Sequence, residues 1–216
     1  MGDAASALET WRRILDVRAT HERAKRALRT RYLAEHRWDD LEWFLRKFGT
    51  IDELGRTLES QVGAIEKKSE KVSLLFKVAA IWRDEADQPQ KAVRHLEAAL
   101  ALEPESLHAS TQLIGLYRHL GDWRKLPAVY DVAIGGTIEP AERTRLMLEA
   151  AEVHEVNLGN VERAFFWYIE AFKENMLDDA LRMQAERLAG PSKNWDIYVA
   201  VLEQAAPLLT DDERKV

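Results

Sequence analysis

Three tryptophans stand in the same relation to three alanines. Ala7 precedes Trp38, Ala92 precedes Trp123 and Ala164 precedes Trp195, each by 31 residues. Between the second and third copies the shift is 72, and other positions keep it. Leu54 matches Leu126 and Tyr198, Leu58 matches Tyr130 and Leu202, Glu70 matches Glu142, and Leu74 matches Leu146. Between the first and second copies the shift is 85, so 13 additional residues fall between Trp38 and Leu54. Leu41-Glu42-Trp43-Phe44-Leu45 in that stretch reads as a short extra helix. A chain that repeats itself at such a period must bury its apolar faces between successive copies, because one copy cannot cover its own.

The repeated unit is helical. Apolar residues recur at spacings of three and four, as in Ala92, Leu96, Ala99 and Leu100, or Leu113, Leu116, Tyr117 and Leu120. Strand signals are absent: no Asn-Gly or Asp-Gly hairpin and no long alternating β-branched run occurs. Short breaks carry turn chemistry at Glu103-Pro104-Glu105, Gly121-Asp122, Gly135-Gly136, Gly159-Asn160 and Gly190-Pro191-Ser192. The expectation is an all-α chain of about nine to ten helices. Asp178-Asp179 is expected to cap a helix and to favour its dipole, and Asp39-Asp40, Asp52-Glu53 and Asp211-Asp212 are read the same way.

Composition removes several classes of activity. No cysteine is present, which excludes disulfides, zinc–cysteine sites and thiol nucleophiles. The six histidines show no His-Glu-x-x-His spacing, and there is no Gly-x-Ser-x-Gly elbow or phosphate loop. No catalytic residue, metal ligand or cofactor is therefore expected. Nor does any apolar stretch approach the ~20 residues of a membrane helix. Residues 1–50 carry 11 Lys and Arg against 8 Asp and Glu, whereas residues 51–216 carry 20 against 29. That acidic balance argues against a nucleic-acid binder, which concentrates basic charge. A cytoplasmic setting is expected.

The residue types resemble the tetratricopeptide repeat (TPR) family over essentially the whole chain. Leu113, Ile114 and Tyr117, then Gly121-Asp122, Leu126, Tyr130 and Ala133 follow its pattern. So do Ala79 and Trp82, then Ala92, Leu96, Ala99 and Pro104, with one extra residue in the turn. A third copy runs through Ala151, His154, Asn160, Ala164, Tyr168 and Ala171, with Met176 in place of the closing proline. The resemblance implies a right-handed α-solenoid of antiparallel helix pairs, similar to a segment of a long bacterial TPR-array scaffold. It divides the chain into a half repeat at 1–18, a repeat with the inserted helix at 19–68, repeats at 69–104, 105–137, 138–176 and 177–209, and the start of a further helix at 210–216. Gly2-Asp3 aligns with Gly159-Asn160, so the chain is expected to open half-way through a repeat.

TPR proteins bind protein partners on their first helices, which line a groove. With Tyr32, Trp82, Tyr117 and His154 placed at one equivalent position, the resemblance implies a contact set. It comprises Arg23, Arg26 and Thr30, then Ser73, Phe76, Ala80 and Arg83. Next come His108, Thr111, Gly115 and Arg118, then Arg145, Leu148, Glu152 and Glu155, with Arg182 and Glu186 on the last such helix. Ordinary solvent-facing side chains are the alternative for each. The arginines suit carboxylates and Phe76 suits an apolar anchor, so the expected partner is a peptide, helix or small domain with acidic residues. Lys77 and Gln112 do not reproduce the set with which some TPR co-chaperones clamp a C-terminal carboxylate. His154 is expected in the core. A non-catalytic adaptor is the leading reading, a spacer or self-associating segment with uncapped ends the second, and an RNA-binding helical repeat the third.

Overall fold

Polar residues at the chain's breaks start its helices, and one backbone device ends five of them. The computed structural model describes the backbone of residues 2–213 and the side chains of residues 7–207. The described residues contain twelve α-helices and no strand. They are α1 (Gly2–Val17), α2 (Glu22–Ala34), α3 (Trp38–Phe48), α4 (Ile51–Gln61), α5 (Lys68–Ala80), α6 (Pro89–Leu102), α7 (Leu107–Leu120), α8 (Leu126–Gly136), α9 (Pro140–Glu152), α10 (Val161–Glu174), α11 (Asp179–Ala189) and α12 (Trp195–Glu213). The count corrects the expected nine to ten. A two-residue break suffices to separate neighbours: at Gly49-Thr50, the Thr50 hydroxyl accepts from Glu53 N at 3.1 Å and starts α4 directly after α3.

The caps follow from residue type. Ser106 Oγ accepts from Ala109 N, Asn160 Oδ1 from Arg163 N, and Asp178 Oδ1 from Ala180 N and Leu181 N. Asp39 and Asp40 sit instead in the first turn of α3, behind Arg37, which caps nothing with its side chain. Asp52 and Glu53 likewise follow Thr50.

The shared ending is a back-bond. The carbonyls of Tyr32, Trp82, Tyr117, His154 and Ala189 accept from the amides of Arg37, Gln88, Asp122, Asn160 and Asn194, at 2.7–2.9 Å. The residue before each donor has a positive φ: His36 51°, Asp87 51°, Gly121 71°, Gly159 64° and Lys193 60°. In two cases the loop holds one residue more. There the helix widens into a π-helical turn, Ile81–Glu85 after α5 and Val153–Asn157 after α9, closed by Ala86 N to Ile81 O and Leu158 N to Val153 O. These two turns are 72 residues apart, so the repeat extends to the backbone hydrogen bonds.

The chain divides into two compact units, residues 1–95 and 96–216. In the first, Leu15, Leu28, Tyr32, Leu41, Leu45, Leu54, Leu58 and Trp82 are fully buried. The inserted helix α3 belongs to this core rather than decorating it. Leu41, Phe44 and Leu45 are buried, and Phe44 meets the Tyr32 ring edge-on. Its rim pairs with α1 through Arg12–Asp40 and Lys47–Asp16, with α5 through Lys77–Asp39 and Lys77–Glu42, and with the following π-turn through Arg46–Glu85. Burial disfavours the Lys77 ammonium, but hydrogen bonds to Asp39 and Glu42 outweigh it and raise its pKa.

In the second unit Leu96, Leu113, Tyr130 and Phe172 fill the core between α7–α8 and α9–α10 hairpins. The repeated alanines Ala92 and Ala164 are fully buried, as close helix approach requires, while Ala7 is exposed. α12 is continuous from Trp195 to Glu213 and contains Pro207. The start of a further helix expected at 210–216 lies partly outside the described residues, as do the side chains of Asp211 and Asp212.

Candidate functional site

In the first unit, the expected contact residues fall on two separate surfaces. Arg23, Arg26 and Thr30 are exposed on one face of α2. With Ala27, Arg31 and Ala34 they line a shallow groove of about 750 Å3 that contains no carboxylate. Arg31 is held by Glu35 at 2.5 Å, but neither Arg23 nor Arg26 forms an ion pair among the described residues. Ser73 lines a different cleft of about 580 Å3, between α5 and the start of α3. His36 and Trp38 stack there, beside Asp39, Glu70 and Lys77. Phe76 and Ala80 are half-buried rather than exposed. Arg83 is turned to its neighbour Asp84 at 2.6 and 2.8 Å, which raises the arginine's pKa and lowers that of the aspartate.

In the second unit a single network absorbs two of the arginines. Glu149 accepts from Arg118 at 3.1 Å and from the Tyr130 hydroxyl at 3.0 Å, and it also pairs with Arg145. Arg145 holds Glu142 as well, at 2.6 and 2.8 Å. Burial and the Glu149 charge push the Tyr130 phenol up to about 12. Arg118 lies 3.9 Å from Glu152, whose carboxylate is exposed. On α7, Thr111 donates to Leu107 O at 2.8 Å, His108 Nε2 lies 2.8 Å from Gln112 Nε2, and Gly115 is exposed.

Three expected residues do converge. Arg145, Leu148 and Glu152 of α9 face Ala180, Leu181 and Gln184 of α11 across Tyr168 of α10, around a groove of about 430 Å3. Its apolar floor is Tyr168 and Leu181, both nearly buried, with half-buried Leu148. One side is fastened by Glu155, which accepts from Arg187 at 2.5 and 2.7 Å. That bond also lowers the Glu155 pKa.

The last helix needs a correction of register. Its back-bond runs to Ala189, so the positions equivalent to Arg145, Leu148 and Glu152 are Ala180, Met183 and Arg187. Arg182 and Glu186 lie elsewhere on α11 and pair with each other at 3.0 Å, Arg182 also with Asp179. The loop Gly190-Pro191-Ser192-Lys193 obscures the register in the sequence. Sequence reasoning also missed Glu149. Its spacing of four from Arg145 is the available signal; its reach to Arg118 on another helix leaves none.

Among the described residues no group of His, Asp or Glu side chains could hold a metal ion, and no helix is long and apolar enough to cross a membrane. No family model and no curated protein matches the chain. Among solved structures it is similar to MamA (16% identity over 79% of this chain and 94% of that one, TM-score 0.44). It is also similar to the MamA RS-1 ArsTM double mutant (12%, 81% and 94%, 0.45) and to PilF of Pseudomonas aeruginosa (13%, 88% and 90%, 0.33). MamA and PilF are TPR-repeat proteins.

Proposed function

We propose that this chain is a non-catalytic protein-interaction scaffold whose first unit binds an acidic segment of a partner along α2. The observation that supports it is the state of the arginines. Arg118 and Arg145 already hold carboxylates of their own chain, and Arg83 faces Asp84. A guanidinium so occupied gains little by exchanging one carboxylate for another. Arg23 and Arg26 stand without one, three residues apart on a helical face, where each can take a partner's carboxylate bidentately. The face is part of a packed helix, so the scaffold loses little conformational freedom on binding. In the second unit the contacts of this reading are Leu148 and Glu152, with the paired Arg145 lining the groove beside them rather than taking a partner's carboxylate.

Cross-linked capture tests it, with wild type beside Arg23→Glu/Arg26→Glu and Arg83→Glu, each checked for unchanged helicity. A partner held by wild type and by Arg83→Glu, but lost with the double variant, is the expected result. Retention by all three places binding on another face and sinks the reading.

A second reading has its own observation. Trp195 and Val199 of α12, one helical turn apart, are 52% and 47% exposed, an apolar pair on one face suited to self-association. Mass that rises with concentration, and falls to the monomer with Trp195→Glu/Val199→Glu, favours it over the adaptor.

A further inference from the structure

His154 is 5% exposed, and neither of its ring nitrogens has a hydrogen-bond partner. A buried imidazole normally satisfies at least one nitrogen, since an unpaired polar group in the interior costs free energy. The ring sits in the π-helical turn Val153–Asn157, where its carbonyl takes the closing back-bond from Asn160 N at 2.7 Å. Three elements surround it. From α10 Arg163 faces the ring, and from α8 Asp131, the two pairing with each other at 3.7 Å. On its own turn, Glu155 is committed to Arg187 of α11. Among the described residues Asp131 is the carboxylate that favours an imidazolium here, and Arg163, which opposes one, also pairs with that carboxylate.

We propose that His154 is an acid-sensitive latch on the α9–α11 groove. When the ring takes a second proton from solvent, the imidazolium leaves its packing site and the π-turn opens. The Glu155–Arg187 clamp between this turn and α11 is then released. The turn suits this role because it holds one residue more than the turns after Tyr32 and Tyr117. It can therefore rearrange without breaking the helices on either side.

Burial is the main cause that lowers the His154 pKa from 6.5, Arg163 adding to it and Asp131 opposing. The unfolded chain then binds a proton at a pH where the folded unit does not. Stability is accordingly full above pH 6.5 and falls as pH drops from 6.5 towards the folded pKa. One such group raises the unfolding constant by up to about tenfold for each pH unit within that window.

The inference rests on the proposed function only in treating the groove as a binding surface, and its test uses no partner. In the full chain, the ring signals of the six histidines are followed by NMR from pH 7.5 to 4.5, together with amide-exchange protection of residues 153–160. The expected result is that these amides lose protection along the His154 titration curve, and that His154→Phe keeps them protected. Should His154 gain its proton with the amides still protected, or His154→Phe lose protection equally, the latch is overturned. If the variant does not fold, the wild-type titration decides alone, because the loss must follow His154 and not His95, the buried histidine of the first unit. Failure of capture by the α2 variants leaves this outcome untouched.

Discussion

Trp82 and His154 occupy equivalent places 72 residues apart and share a backbone and an unpaired buried ring nitrogen, Nε1 in the indole and both nitrogens in the imidazole, but the two rings fill their places differently. Each begins a loop in which its carbonyl accepts from the amide six residues on, and each lies in a π-helical turn. Trp82 fills its place: it is fully buried against α4, with Lys91 Nζ 3.7 Å from the ring centre. A Cβ on Gly55 would fall 2.6 Å from Trp82 Cζ2, so that glycine is what lets α4 approach the indole. His154 has a smaller ring and two unpaired nitrogens. The turn's geometry is therefore a property of loop length and back-bonding, whereas the side chain decides how well the space inside the turn is filled.

The largest effect expected from breaking this comparison is at Trp82. Replacing it by alanine removes a fully buried indole and leaves a cavity, a loss of about 3–5 kcal/mol. A fall in the urea midpoint for the first unit, with the second unit's transition unmoved, is the expected reading. A loss below about 1 kcal/mol would mean that the unit collapses around the gap.

Gly55→Ala tests the same contact from the other side. The added methyl meets the indole well inside contact distance, and overpacking of this kind costs about 1–3 kcal/mol. If Gly55→Ala is neutral in wild type, the indole has room to move. In a Trp82→Phe background, where the ring is smaller, the penalty should shrink.

How far such features show in the sequence depends on what carries them. Close packing repeats because each copy meets the same steric demand, so Ala92 and Ala164, Leu54 and Leu126, and the buried His154 are all visible as a 72-residue register. The extra residue after Trp82 is visible as well, as one position too many before Ala92. Its consequence, a π-turn, is not, because a looser loop could absorb the same residue. The arginines are harder still. Arg26 and Arg118 read alike, yet only Arg118 meets Tyr130 and Glu149, which belong to other helices. Helix α3 hides in the same way. Its length follows from the 13 added residues, but its ties to α1 and α5 depend on long side chains reaching across the unit.

The smallest effects come from the residue that turns the corner in each copy, Asp87 in one and Gly159 in the other. Both have positive φ, 51° and 64°. An L-residue with a Cβ is disfavoured in that region by roughly 1–2 kcal/mol, less for aspartate, whose short side chain bonds locally, and not at all for glycine. Nothing lies within 4 Å of a Cβ on Gly159, so the cost of Gly159→Ala comes from the backbone alone, about 1 kcal/mol. Asp87→Gly relieves the opposite strain but frees the unfolded chain, which takes back roughly 0.4–1 kcal/mol of the gain. The net expectation is a stabilisation near 0.5 kcal/mol or less, read as a small rise in the first unit's urea midpoint. The pair discriminates because the two signs are opposite. If both substitutions destabilise, Asp87 contributes through its carboxylate, and the two corners are equivalent in backbone only.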